Sequence, residues 1–364
     1  MHDTALRHLE ALVAFDTRNP PRAIGTGGIF DYLRLHLEGF DVQVSDHGAG
    51  AVSMLATRGA PARLFNVHLD TVPSSEAWTA DPLRLRIKGG RAIGLGACDI
   101  KGAAAGLLAA ATATSGDAAF LFSTDEEAND ARCIRAFLAQ QHGFREVLVA
   151  EPTRCEAVLA HRGISSALAR FRGNAGHASA SDALQSSAVH RAMRWGVAAL
   201  DMVEAAAHER FGGLTGLRFN IGTMEGGIKG NVIAPSAQLR FNFRPLPSMD
   251  TDSLHARLRS LADEGWLDAY EETFRGPPLP AGGLDVAESR RLSARDLAEE
   301  LNLPVGNAVD FWTEASLFSE SGLTAVVYGP GDISQAHAAD EWVEIEQLDR
   351  YASSVARIID GTSA

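Results

Sequence analysis

The chain has little cysteine, no long apolar run and a deficit of basic charge. Its three cysteines, Cys98, Cys133 and Cys155, are scattered. They form neither a disulfide framework nor a CxxC metal knuckle, which fits a reducing compartment. The longest apolar stretch, around residues 102–113, is too short to span a bilayer and is interrupted by Gly106. The N-terminus, MHDTALRHLEALVAF, has the pattern of an amphipathic helix rather than a signal peptide. A cytoplasmic protein is therefore expected. Lys and Arg total 33 against 46 Asp and Glu, a formal charge of −13. That balance excludes nucleic acid and anionic membrane as partners, since both require a basic face. HExxH, GxSxG and GxxxxGK[ST] are all missing, and GLGACD lacks the third glycine of a dinucleotide fingerprint.

At 364 residues, with 46% hydrophobic and 22% charged residues, the chain has material for two domains with sizeable cores. Short buried-strand runs occur at ARLFNVHLD (62–70), AAFLFSTDEE (118–127), EVLVAEPT (146–153) and TAVVYGPG (324–331). Helical patterns alternate with them, at 101–113 and 131–141. This alternation predicts an α/β layer with a mostly parallel sheet. The middle of the chain has a different rhythm. A strand at 163–173, a helix over about 183–208, strands at 217–224 and 231–245, a helix near 251–264 and a strand at 268–274 give β-α-β-β-α-β. That order is a ferredoxin-like α+β unit. The expected organisation is a discontinuous catalytic domain, residues 1–162 and 276–364, with an inserted domain at 163–275. A helix at about 344–360 closes the chain.

In open α/β sheets ligands bind beyond the carboxyl ends of the strands. Here those ends carry His68 and Asp70, then Asp125, Glu126 and Glu127, then Glu151. His337 lies in the loop after TAVVYGPG, and Asp99 sits in the glycine-flanked loop GLGACDIKG. Each residue alone has an ordinary explanation. Asp99 could cap the helix beginning near Lys101, and Glu126–Glu127 could open a solvated helix. Cys98 beside Asp99 reads as a packed side chain. Jointly, loops far apart in sequence deliver two histidines and several carboxylates to one edge, which is a donor set for borderline divalent cations such as zinc. His68 and Asp70 are two apart on an extended chain and share a face, so Asp70 can fix the imidazole while His68 binds a metal. One of the adjacent Glu126 and Glu127 can ligate while the other faces the attacking water. A carboxylate such as Asp99 can bridge two ions.

The motifs NVHLDTVP (66–73), GLGACDIKG (94–102), STDEEA (123–128), AEPT (150–153), RGNAGHAS (172–179), GGIKGNVIAP (226–235), FNFRP (241–245) and FWTEASLF with YGPGDISQAH (311–337) run across nearly the whole chain. In this order they resemble the acetylornithine deacetylase and succinyl-diaminopimelate desuccinylase family of co-catalytic metallohydrolases. FDTRNPPRAIGTGGIFDYL (15–33) and HRGISS (161–166) are most similar to bacterial members that act on N-acetylcitrulline. The resemblance implies a zinc-hydrolase domain with an inserted lid and dimerisation domain. It implies that His68, Asp99 and Glu151 hold one metal, that Asp99, Glu127 and His337 hold the second, and that Asp99 bridges them. Zinc is the expected ion and cobalt the alternative. Asp70 would orient His68, and Glu126 would be the general base. His177 would reach the active site of a partner subunit in a homodimer, and Asn231 and Arg244 would contact substrate. Leu95 stands where the family has an arginine, which removes any role of that side chain. The implied reaction is hydrolysis of the acetyl amide of N-acetyl-L-citrulline or N-acetyl-L-ornithine in arginine biosynthesis. Arg244 would offer a bidentate fork to the α-carboxylate, with Lys229 a weaker choice. Glu314 would face the ammonium of an ornithine substrate. Desuccinylase, aminoacylase and dipeptidase activities are the alternatives on the same scaffold, and a non-catalytic binding protein is the alternative outside it.

Overall fold

The computed structural model describes residues 1–361, apart from the side chain of His2. The chain divides into two compact units. Unit 1 comprises Met1–Leu159, Arg290–Asn307 and Thr313–Ala364; unit 2 comprises Ala160–Ser289 and Ala308–Trp312.

Unit 1 opens with α1 (His2–Val13) and α2 (Ile29–Leu35). A hairpin follows, β1 (Asp41–Asp46) and β2 (Val52–Arg58), and then β3 (Arg63–His68). Two short strands, β4 (Arg86–Lys88) and β5 (Arg91–Ile93), precede α3 (Lys101–Ala113). β6 (Ala118–Ser123), α4 (Arg132–Leu138) and β7 (Glu146–Val149) complete the first passage. The central sheet has the order β1-β2-β6-β3-β7-β14, where β14 is Thr324–Val327. β6, β3, β7 and β14 are parallel, and the hairpin β1-β2 joins the β6 edge in antiparallel register. The sheet is thus mixed but mostly parallel, as the sequence predicts. The hairpin was not legible, because β1 is half exposed and reads as polar.

α3 is buried along almost its whole length, which explains its glycine- and alanine-rich composition. A Cβ on Gly106 would lie 2.6 Å from Cδ1 of Tyr351 on α10 (Ile345–Asp360), so the glycine lets that aromatic ring seat against the helix. The interruption of the apolar run is a packing device.

Unit 2 holds β8 (Ile164–Arg172), α5 (Ala183–Ser186) and α6 (Ala188–Ala205). Then come the small hairpin β9 (Arg210–Phe211) and β10 (Leu214–Thr215), and β11 (Arg218–Gly226). β12 (Ser236–Arg244), α7 (Thr251–Ser260) and β13 (Leu267–Gly276) follow. Its antiparallel sheet, β11-β12-β8-β13, has the strand order of a ferredoxin-like fold. The single helix expected over 183–208 is two helices, because Ser187 takes an extended conformation and its hydroxyl caps α6. The strand expected from 231 begins only at Ser236.

The expected domain border at 275/276 is corrected. Unit 2 continues to Ser289 within α8 (Leu284–Glu300) and reclaims residues 308–312. His161 and Leu279 exchange both main-chain hydrogen bonds, at 2.9 and 3.1 Å, and Val309 donates to the Ala160 carbonyl at 3.1 Å. The fully buried Arg162 ties Asp310 to the carbonyls of Thr215 and Gly216. Unit 1 then finishes with α9 (Ala315–Glu320), β14, a single 3-10 turn at Ile333–Gln335, β15 (Trp342–Glu344) and α10. Among the described residues no helix is long and apolar enough to cross a membrane.

Candidate metal centre

The parallel register places the expected residues together. His68 ends β3, opposite Ser123 at the end of β6, and Glu151 lies two residues beyond the end of β7. Within unit 1, donor atoms of His68, Asp99 and Glu151 all lie within 4.8 Å of one another, and so do those of Asp99, Glu127 and His337. Nε2 of His68 is 3.2 Å from Oδ1 of Asp99 and 4.0 Å from Oε1 of Glu151. Nε2 of His337 is 3.3 Å from Oδ2 of Asp99 and 3.0 Å from Oε1 of Glu127. Asp99 therefore presents one oxygen to each group.

The ordinary explanations for these residues fail on geometry. Asp99 does not cap α3, whose N-cap is Ile100 with no side-chain bond. Glu126 and Glu127 lie in a turn, five residues or more before α4 begins at Arg132. Cys98 is buried, and burial pushes its thiol up, so it is a packed side chain.

The glycines of GPGD serve the same convergence. A Cβ on Gly329 would sit 2.5 Å from the main-chain oxygen of Glu151, and one on Gly331 (φ +94°) would sit 2.6 Å from Sγ of Cys98. The loop leading to His337 therefore lies directly on the Glu151 and Asp99 segments. His337 itself has φ 57°, in the left-handed region, an arrangement that other contacts must sustain.

Against the cost of burial, bonds to Asp70 and Asp99 and the charges of Glu151 and Asp99 raise His68 well above its usual range, so the site favours positive charge. Nδ1 of His68 is 3.0 Å from the main-chain oxygen of Asp70, which can only accept, so Nδ1 carries the proton. Oδ1 of Asp70 is farther, at 3.4 Å. In the neutral ring the Nε2 lone pair then faces the Asp99 carboxylate, acceptor against acceptor. Oδ1 of Asp99 is buried without any hydrogen-bond partner. A divalent ion between these atoms removes both conflicts, and two imidazoles with several carboxylates are donors of the right kind. Burial first, and then the charges of Glu127, Glu151 and Asp99, push the Glu126 carboxyl well above its usual range, with His68 opposing. Burial, with Asp99 next, does the same to Glu151.

Asp70 is fully buried beneath this cluster. Its Oδ2 accepts from Nδ2 of Asn19 at 2.9 Å and from the main-chain N–H of Glu127 at 3.0 Å. Glu314 lies in the field of Asp125, His68 and Asp70. It is 1% exposed, accepts the Ser123 hydroxyl at 2.9 Å, and burial pushes its carboxyl up to about 8. Leu95 is buried at 2% exposure, a packed residue in the place of the arginine.

The unit 2 residues fall into two places. His177 is exposed, its Nδ1 2.7 Å from the Ser179 hydroxyl, and Ala178 donates to the Asn231 carbonyl at 3.1 Å. His177 and Asn231 are thus neighbours, with Lys229 exposed in the same loop. Arg244 lies at the far end of β12. Glu341 escaped the sequence reading altogether: its carboxylate accepts main-chain N–H groups of the Asp99 loop.

A family model for peptidase family M20/M25/M40 matches residues 64–361. The chain belongs to this family. An N-acetyl-L-citrulline deacetylase of Xanthomonas campestris pv. campestris is 66% identical over 360 residues, covering 99% of this chain and 98% of the relative. An acetylornithine deacetylase of Myxococcus xanthus is 34% identical, with 99% and 98% covered. Among solved structures, the aminopeptidase PepT of Bacillus cereus superposes with a TM-score of 0.74 at 20% identity, covering 99% and 98% of the two chains. That last likeness shows the M20 fold alone.

Proposed function

We propose that this M20 member hydrolyses the acetyl amide of N-acetyl-L-citrulline, releasing acetate and L-citrulline, as a step of arginine biosynthesis. The observation that carries the reading is the sharing of Asp99 by two ligand groups, one ending in His68 and the other in His337. His68, Asp99 and Glu151 would hold one divalent ion, and Asp99, Glu127 and His337 the second. Zinc suits this donor set first and cobalt second. When bound, the ions polarise the acetyl carbonyl and acidify the attacking water.

The chain's own residues do the rest. Glu126 takes the proton of the attacking water and delivers it to the leaving amine. Asp70 fixes the His68 ring through its main-chain oxygen. Arg244 grips the α-carboxylate as a planar fork. β12 runs about 26 Å from Ser236 to Arg244, and His177 and Asn231 lie beyond its Ser236 end, so one bound molecule is not expected to meet all three from the same unit. A homodimer resolves this: His177 and Asn231 act on the partner's substrate, and His177 donates to the developing oxyanion. Unit 2 offers a surface for that contact. Met193, Val197 and Leu200 form an exposed apolar stripe on α6, beside the edge strand β11.

One observation favours a citrulline over an ornithine substrate. The relative at 66% identity is named for citrulline. The test is kcat/KM of the zinc-loaded enzyme on N-acetyl-L-citrulline, N-acetyl-L-ornithine, N-succinyl-diaminopimelate and a dipeptide. N-acetyl-L-citrulline is expected to lead; a faster turnover of any other compound overturns the assignment.

A further inference from the structure

The loop Gly94–Asp99 delivers the shared ligand, yet it contains no helix or strand bond of its own to hold it. Its main-chain N–H groups are all satisfied, and four go to one residue. The Glu341 carboxylate accepts from Cys98 at 2.8 Å and Asp99 at 2.9 Å through Oε1, and from Gly96 at 3.2 Å through Oε2. The Glu341 main-chain oxygen accepts from Gly94 at 3.0 Å. The other two, Leu95 and Ala97, donate to Pro82 and Gly94. Glu341 is 2% exposed, so water does not compete for these bonds. It also follows His337 by four residues, so one short segment supplies both the second histidine and the grip on Asp99.

We propose that Glu341 is a positioning residue for metal binding: it clamps the Asp99 loop so that one Asp99 oxygen faces His68 and the other faces His337. The inference rests on the metal reading above and assigns Glu341 no contact with substrate. A carboxylate is the fitting group. Three N–H donors converge on two oxygens that only accept, whereas an amide would set its NH2 against one of the donors. Without the clamp, buried N–H groups lose their partners and the loop shifts to find water.

The experiment compares wild type, Glu341→Gln, Glu341→Ala and Val355→Ala by zinc titration of chelator-stripped full-length protein, with circular dichroism and thermal unfolding in parallel. Val355 is a fully buried core residue of α10, and its truncation controls for general destabilisation. Glu341→Ala is expected to weaken uptake of at least one ion by about 10- to 100-fold, the loss typical of removing a residue that orients a ligand. Glu341→Gln should fall between it and wild type, and Val355→Ala should bind zinc normally while melting earlier. If Glu341→Ala does not fold, Glu341→Gln decides alone. A folded Glu341 variant that takes up both ions with wild-type affinity overturns the proposal, as does equal weakening by Val355→Ala. Wild-type protein that takes up no zinc overturns the metal reading itself, and the clamp with it.

Discussion

Oδ2 of Asp70 accepts the main-chain N–H of Glu127 at 3.0 Å. The main-chain oxygen of the same Asp70 receives Nδ1 of His68. One buried residue thus fixes a candidate ligand of each ion, His68 by its imidazole and Glu127 by its backbone. Asp70→Asn keeps the shape but removes the charge: with its amide oxygen on Asn19 and Glu127, its amide nitrogen takes the place of Oδ1 and faces the N–H of His68 Nδ1. Affinity for zinc should fall about 10- to 100-fold in a competition titration. Unchanged affinity would show that the two ligands hold their places without Asp70.

Glu126 separates cleanly from its neighbour Glu127. It belongs to neither ligand group, although it lies in the field of His68, Glu127, Glu151 and Asp99. Glu126→Ala should therefore retain both ions by metal analysis, while kcat drops about 100- to 10,000-fold, the range for a lost general base. A near-normal kcat would remove it from proton transfer.

Gly329 tests the convergence of loops. Its missing Cβ leaves room for the backbone of Glu151, whose oxygen, nitrogen and carbon all lie within 3.2 Å of where that atom would be. Backbone cannot rotate away as a side chain can. Gly329→Ala should push the Glu151 segment aside, and displacement of about 1 Å at a catalytic centre costs on the order of 100-fold in rate. The variant should stay folded, since Gly329 lies beyond the end of β14 and the ladder with β7 is untouched. Kinetics and circular dichroism together check this.

The pH dependence of stability should be visible in unit 2. His161 is fully buried; burial lowers it from 6.5 to about 4, the Arg244 charge adds to this, and the bond to the Arg162 carbonyl opposes it. The folded state therefore binds a proton less readily than the unfolded chain. Its stabilising effect is complete above about pH 6.5 and is lost as pH falls toward 4, amounting to about 3 kcal/mol. His161→Asn can retain the donor to the Arg162 carbonyl but cannot titrate. Its urea midpoint should decline less than that of wild type between pH 6.5 and 4. Parallel declines would assign the acid sensitivity elsewhere.

Buried parallel strands made the centre legible. β6, β3 and β7 are short apolar runs, and each stops at or just before the candidate site residues, so His68, Glu126, Glu127 and Glu151 stand out against apolar neighbours. α3 was legible to the residue, at 101–113, because no charge interrupts it. Residues whose meaning depends on distant main chain were not. Glu341 is one acid among 46 acidic residues, and its partners lie more than 240 positions away. Glu314 lies within the motif FWTEASLF, yet only packing shows that it accepts the Ser123 hydroxyl. The border of unit 2 failed for the same reason: His161 pairs with Leu279 through main-chain groups that any residue carries.

The dimer reading has its own test. If His177 acts on the partner's substrate, a subunit lacking His177 can still supply Glu126, and a subunit lacking Glu126 can still supply His177. Glu126→Ala and His177→Ala should each be nearly inactive alone. Mixed and allowed to exchange, they should form hybrids in which one of the two active sites has both groups intact. Statistical exchange makes half of the dimers hybrid, so total activity should recover to about a quarter of wild type, by the combinatorics of a two-fold assembly. Differently tagged subunits, purified through both tags, isolate the hybrid and raise the expectation to half. Inactive purified hybrids would place His177 in service of its own subunit or of none.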